Sequence, residues 1–125
     1  MRLSSLRRFL DSEIPAGVLI SEVDAELSAI RYHLQELGRS IPIPVGEDCD
    51  VEISRADVAF LCGAFLRGEI DAVLLAFIAD VIQLADRVSI VDPWVAEAVA
   101  ECTDPQVQGE FTVDKARALV SSAGV

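Results

Sequence analysis

Two long apolar runs, separated by one short polar break, occupy Ser54–Asp86 (SRADVAFLCGAFLRGEIDAVLLAFIADVIQLAD). Few folds accept such a stretch. The runs read as two helices turned back on each other about Arg67-Gly68-Glu69-Ile70. Ser54 can accept a hydrogen bond from a free first-turn N–H, and Asp57, three residues on, can reach back as a short capping box. Ile53 and Val58 stand at the two positions of a hydrophobic staple. Gly68 can take the positive φ that ends a helix at little steric cost. Asp71 then caps the second helix, where Ile70 and Leu75 repeat the staple spacing.

Both helices are apolar over more than one face. In the first, Val58, Leu61, Cys62, Phe65 and Leu66 form a stripe that Ala59, Phe60 and Ala64 widen. In the second, Leu74, Phe77, Ile78, Val81, Ile82 and Ala85 form the stripe, with Val73, Leu75 and Leu84 outside it. A surface helix keeps a polar back, so these two are expected to be covered on two sides, by the rest of the chain or by a second subunit. A membrane hairpin is disfavoured, because the apolar runs Val58–Leu66 and Val73–Ala79 fall far short of the ~20 residues a span needs.

The flanking chain continues the helical pattern. Leu3, Leu6, Phe9 and Leu10 sit at helical spacing, with Ser4 or Ser5 as the cap and an end near Ser12. Pro15 fits the first turn of a second helix, whose seam is Ile20, Val23, Leu27, Ile30, Leu34 and Leu37, closed by Gly38. Asp92-Pro93 opens another helix with Trp94, Val95, Ala98, Val99 and Cys102 inward, and with Glu97 and Glu101 one turn apart on the other side. Trp94 reads first as a core anchor and second as a binding residue. Thr112 caps a last helix with Val113, Ala116, Leu119 and Val120 inward. Arg87–Val91 and the turn-rich Thr103–Glu110 read as connections. The expected fold is all-α: a single domain over residues 1–125, a bundle of about five or six helices around the central apolar hairpin.

Ser40–Ile53, SIPIPVGEDCDVEI, breaks the helical pattern. Pro42 and Pro44 favour extended backbone, and Gly46 marks a turn. Four acids follow within six residues: Glu47, Asp48, Asp50 and Glu52. Three readings stand for them: a solvated connection, a partner-binding loop, or a cation site whose spacing does not match an EF-hand. Changing all four acids to amides is expected to leave the fold intact.

Charge is the strongest global signal. The net charge is −11, and Glu47–Glu110 holds fourteen acids against Arg55, Arg67 and Arg87, so that this segment carries all of it. A nucleic-acid binder needs the opposite sign. An acidic field favours a basic protein partner, or serves solubility alone.

Candidate chemistry is sparse. Three widely spaced cysteines (Cys49, Cys62, Cys102) and one histidine (His33) do not make a zinc site. Cys62 is expected to be a small core hydrophobe, outside any disulfide, with Cys49 the most reactive thiol. None of the phosphate-loop, dinucleotide, zincin or nucleophile-elbow motifs occurs. The expectation is therefore no enzyme, no catalytic residue, no cofactor and no metal. The N-terminal MRLSSLRRFLDSE has no long apolar core or small-residue cleavage site, so no signal peptide is expected and the cytoplasm is the expected compartment.

FLRGEIDAVLLAFIADVIQLAD followed by DPWVAEAVAECTDPQ resembles small helical bacterial immunity proteins encoded beside contact-dependent-inhibition or colicin-type toxins, over about half of the chain. The resemblance implies binding of a cognate toxin domain, often a basic nuclease, without catalysis. Those proteins share no motif from which binding residues can be carried over. The partner-binding candidates come from charge and from the lone tryptophan: Glu47, Asp48, Asp50, Glu52, Trp94, Glu97 and Glu101. The competing reading is a structural or adaptor helical subunit that self-associates, as a homodimer for instance, through excess apolar surface.

Overall fold

Four of the described helices start at a side chain that satisfies an N–H two or three residues further on. The computed structural model describes residues 1–32, 45–103 and 111–124. Six helices are described: α1 (Leu3–Leu10), α2 (Ala16–Tyr32), α3 (Arg55–Leu66), α4 (Ala72–Leu84), α5 (Pro93–Cys102) and α6 (Val113–Ala123). Two short strands, β1 (Val51–Glu52) and β2 (Val88–Ser89), accompany them.

The Ser54–Asp57 capping box is formed at the start of α3. The Ser54 hydroxyl accepts from the Asp57 N–H at 3.3 Å, and the Asp57 carboxylate accepts from the Ser54 N–H at 2.9 Å. Gly68, just past the end of α3, has φ +76°, and nothing lies within 4 Å of where its Cβ would be, so backbone conformation alone selects glycine there. Asp71 caps α4 by accepting from the Leu74 N–H at 2.8 Å. Asp92 caps α5 by accepting from the Trp94 N–H at 2.9 Å, with Pro93 at the first helical position. Thr112 caps α6 by accepting from the Lys115 N–H at 3.2 Å.

Helix α1 departs from expectation. Neither Ser4 nor Ser5 is its cap: Arg2 holds the N-cap position without a side-chain bond, and Ser5 is buried. The cap comes from outside the helix. Asp48 accepts from both the N–H and the hydroxyl of Ser4, at 2.9 and 2.6 Å.

The core is aliphatic and centred on α3 and α4. Leu74, Phe77, Ile78, Val81 and Ile82 are all at most 2% exposed, as are Val58 and Cys62 of α3. Leu75, expected outside the stripe, is buried too, while Leu84 stands 64% exposed. α4 is thus enclosed on more than one side by this chain's own elements. The two helices succeed one another through the turn at 67–71, but each packs chiefly on a later element. The most extensive helix contact of α3 is with α6, and that of α4 is with α5. An apolar stripe says that a face is buried, not against what. Small buried residues, Ala64 on α3 and Ala116 and Ala123 on α6, are suited to close axial approach of the two helices. Phe65 and Phe111 meet edge-to-face beside them, 5.3 Å between centroids, and Phe9 on α1 meets Phe60 on α3 at 5.2 Å.

Two other expectations shift. On α2, Val23 is buried as expected, whereas Ile20 is only partly so and Ala16 and Leu19 are buried in addition. The remaining seam side chains, and His33, lie outside the described residues. On α6, Val113 is 46% exposed.

The segments expected to be plain connections before α3 and after α4 pair as a parallel two-stranded sheet, Val51 opposite Val88 and Glu52 opposite Ser89. The Val51 N–H donates to the Arg87 carbonyl at 3.0 Å, and the Ile53 N–H to the Ser89 carbonyl at 3.1 Å. The alternation V-E-I against V-S-I suits a half-buried strand, but it is too short to stand out in sequence. A crossover carrying α3 and α4 joins the two strands, as parallel pairing requires. At the N-terminal end the Leu3 N–H donates to the Gly46 carbonyl and the Gly46 N–H to the Met1 carbonyl. A Cβ on Gly46 would lie 3.0 Å from Arg2 Cγ and 3.4 Å from Arg2 Cα, so this approach favours glycine. Among the described residues, no helix is long and apolar enough to cross a membrane.

Candidate partner-binding surface

The seven candidate residues separate into two groups with different surroundings. The acids before α3 are largely engaged within the chain. Glu47 accepts from the Arg87 N–H at 2.9 Å, and its carbonyl accepts from Arg87 Nη1 at 3.0 Å. Asp50 accepts from Arg87 Nε at 2.8 Å. Asp48 caps α1 through Ser4. The hydrogen bonds from the Ser4 hydroxyl and N–H hold the Asp48 carboxyl below the usual aspartate range, and Arg87 does the same to Asp50. The Glu52 carbonyl accepts from Arg7 Nη1 at 3.1 Å, and its side chain is exposed. These bonds fasten the segment to α1 on one side and to β2 on the other. Amides at all four positions would therefore weaken the attachment of this segment to α1 and to Arg87.

A further pair extends this framework. Arg7 on α1 donates from Nη2 to Asp57 at 2.8 Å and to Asp11 at 2.7 Å. Asp57 is 8% exposed, and the same carboxylate completes the capping box. One acid thus both starts α3 and ties α1 to it.

Trp94, Glu97 and Glu101 behave differently. Their spacing places them along one side of α5, where they line a groove of about 300 Å³ between α5 and α6. Sequence reasoning set Trp94 inward and the two acids on the opposite side, yet the half-buried indole shares the groove with them. The far wall is Ala118, Leu119 and Ser122 of α6, which no local pattern singled out. Alanine and serine there keep that wall low. Among the described residues, neither Glu97 nor Glu101 has a hydrogen-bond or ion-pair partner. Arg55, at the start of α3, lies over the Trp94 ring with its guanidinium carbon 5.2 Å from the centroid. Asp92 holds Arg55 there, and that bond, with the Trp94 N–H, keeps the Asp92 carboxyl below the usual range. Arg55 does not itself line the groove.

The thiols of Cys62 and Cys102 are buried and adjacent, sharing a hydrogen bond between α3 and α5. That bond and burial push the Cys102 thiol up, while the same bond lowers the Cys62 thiol against the opposing effect of burial. Among the described residues, no group of three or more His, Cys, Asp or Glu is placed to hold a metal ion. Comparison of the chain with protein-family models, curated proteins and solved structures returns no match.

Proposed function

We propose that this chain is a non-catalytic bacterial immunity protein, acting in the cytoplasm by binding and neutralising a cognate, basic toxin domain. One observation carries the reading: the entire net charge of −11 lies in Glu47–Glu110, the segment that also contributes Trp94, Glu97 and Glu101 to the groove. A field of that sign raises the encounter rate with a cationic protein and repels nucleic acid. Charge gives rate and sign; a tight complex also needs an anchor in a desolvated pocket, for which tryptophan is well suited. Within the acidic segment, the α5 face is the better interface than the acids before α3. Its carboxylates are free to pair across an interface, whereas Glu47, Asp48 and Asp50 are bonded within the chain.

The test is co-expression with the toxin encoded next to this gene. Protection of the cell, with an association rate that falls as salt is raised, is the expected result. Failure of the wild-type protein to bind or protect against any adjacent-gene toxin removes the immunity reading. The self-associating subunit then becomes the better account, favoured by Leu84 and Val91, which stand 64% and 76% exposed. Its signature is a dimer or larger species in sedimentation without any partner.

A further inference from the structure

The groove between α5 and α6 has a definite chemistry. One wall gives the Trp94 indole and two carboxylates; the other gives Ala118, Leu119 and Ser122. Its volume of about 300 Å³ lies at the small end of the ~300–1,000 Å³ of ligand pockets, a size that suits one long side chain. Two carboxylates one helical turn apart, with Cβ atoms roughly 5–6 Å from each other, can face a planar cation together. A guanidinium is planar, carries five donors and stacks on aromatic rings, whereas an ammonium is a compact, strongly hydrated point charge. The chain already demonstrates this preference once, in Arg55 over Trp94. In the groove, which Arg55 does not line, the same indole stands beside two carboxylates without partners among the described residues.

We propose that this groove is an arginine-receiving site: one arginine side chain of a basic protein partner enters between α5 and α6, stacks its guanidinium on Trp94 and pairs with Glu97 and Glu101. The proposal rests on the binding reading above only in taking the arginine from a protein. The groove's selectivity is a property of this chain alone and can be measured without a toxin. Recognition here is cation–π contact plus charge-assisted hydrogen bonding, with Leu119 and the alanines packing against the aliphatic stem.

Trp94 is the sole tryptophan, so its fluorescence reports on the groove directly. The experiment titrates the whole protein with three capped tripeptides, Gly-Arg-Gly, Gly-Lys-Gly and Gly-citrulline-Gly, the last a neutral near-isostere of the first. A saturating fluorescence change with the arginine peptide is expected, with lysine weaker and citrulline weaker by about tenfold or more. Glu97→Gln with Glu101→Gln should weaken the arginine peptide by about tenfold while leaving the melting temperature unchanged, since both side chains are exposed. Asp24→Asn with Asp86→Asn makes the same change in net charge at exposed acids away from the groove and should leave the titration as in wild type.

Three results overturn the proposal: no saturable response to the arginine peptide, equal binding of citrulline and arginine, or equal weakening by the two amide pairs. The last would mean only a diffuse acidic field. Toxin binding separates this claim from the one beneath it. A toxin that binds wild type and the Glu97/Glu101 amide variant equally sinks the groove and leaves the immunity reading standing. An arginine-selective titration without any toxin partner supports the groove and sinks the immunity reading.

Discussion

Replacing Asp57 by alanine removes a group that serves two elements at once. Its carboxylate accepts from the Ser54 N–H at 2.9 Å, the Ser54 hydroxyl at 3.0 Å and Arg7 Nη2 at 2.8 Å. Loss of the reciprocal half of the capping box leaves the Ser54 N–H without its partner at the start of α3, a cost of about 1 kcal/mol. Loss of the ion pair adds less than the ~3–5 kcal/mol of a fully buried one, because the Arg7 side chain is 28% exposed and keeps Asp11 and the Glu52 carbonyl. A contribution of about 1–2 kcal/mol is reasonable for it, so Asp57→Ala should cost about 2–3 kcal/mol in urea unfolding. Asp57→Asn keeps an acceptor for Ser54 and loses the charge, and should cost about 1 kcal/mol. A double-mutant cycle with Arg7→Met should return a coupling of about 1 kcal/mol or more. A loss below ~1 kcal/mol for the alanine variant, or no coupling, would mean that α1 is held on α3 by the Phe9–Phe60 contact and its apolar neighbours alone.

Phe77→Ala should cost about 3–5 kcal/mol, since Phe77 is 2% exposed among branched aliphatics, and a loss near 1 kcal/mol would show the core to be loosely packed there. Native thiol labelling should modify the half-buried Cys49 first and leave Cys62 and Cys102 slow; equal rates for all three would contradict the burial of the core pair. Acid should loosen α1 and β2 before the core melts. Asp48 and Asp50 have lowered folded pKa values, so their contribution is complete above the ordinary aspartate range and is lost as pH falls through the lowered values. Hydrogen exchange at the Ser4 and Leu3 amides should accelerate there, and Asp48→Asn should produce the same change at neutral pH. Unaltered exchange in that variant would show that α1 needs no cap from Asp48.

What could be read from the chain was what is local. Ser54 with Asp57, Asp71, Asp92, Thr112 and Gly68 each act on groups within a few residues, and each sits where its spacing put it. The bonds of Asp48 to Ser4 and of Arg87 to Asp50 span 44 and 37 positions, and nothing in the intervening sequence encodes them. The strand pair was hidden for a related reason: two residues on each side give too little alternation to outweigh the helical segments around them. Half of the groove was legible, because Trp94, Glu97 and Glu101 share a helix. The wall from α6 was not, since Ala118 and Ser122 carry no signal until the packing of α3 on α6 brings that helix alongside α5.

The pairing of α3 with α6 also has a consequence in time. The ribosome makes α3 first and reaches α6 about fifty residues later, a delay of roughly 3 to 10 s at ~5–20 residues per second. Throughout that interval the α3 face that ends up against α6 has no permanent cover, and it includes one of the most apolar runs in the chain. Closure of the core waits on late synthesis. A chain arrested just before Val113 should aggregate or be degraded, even though most of its helices have already been made.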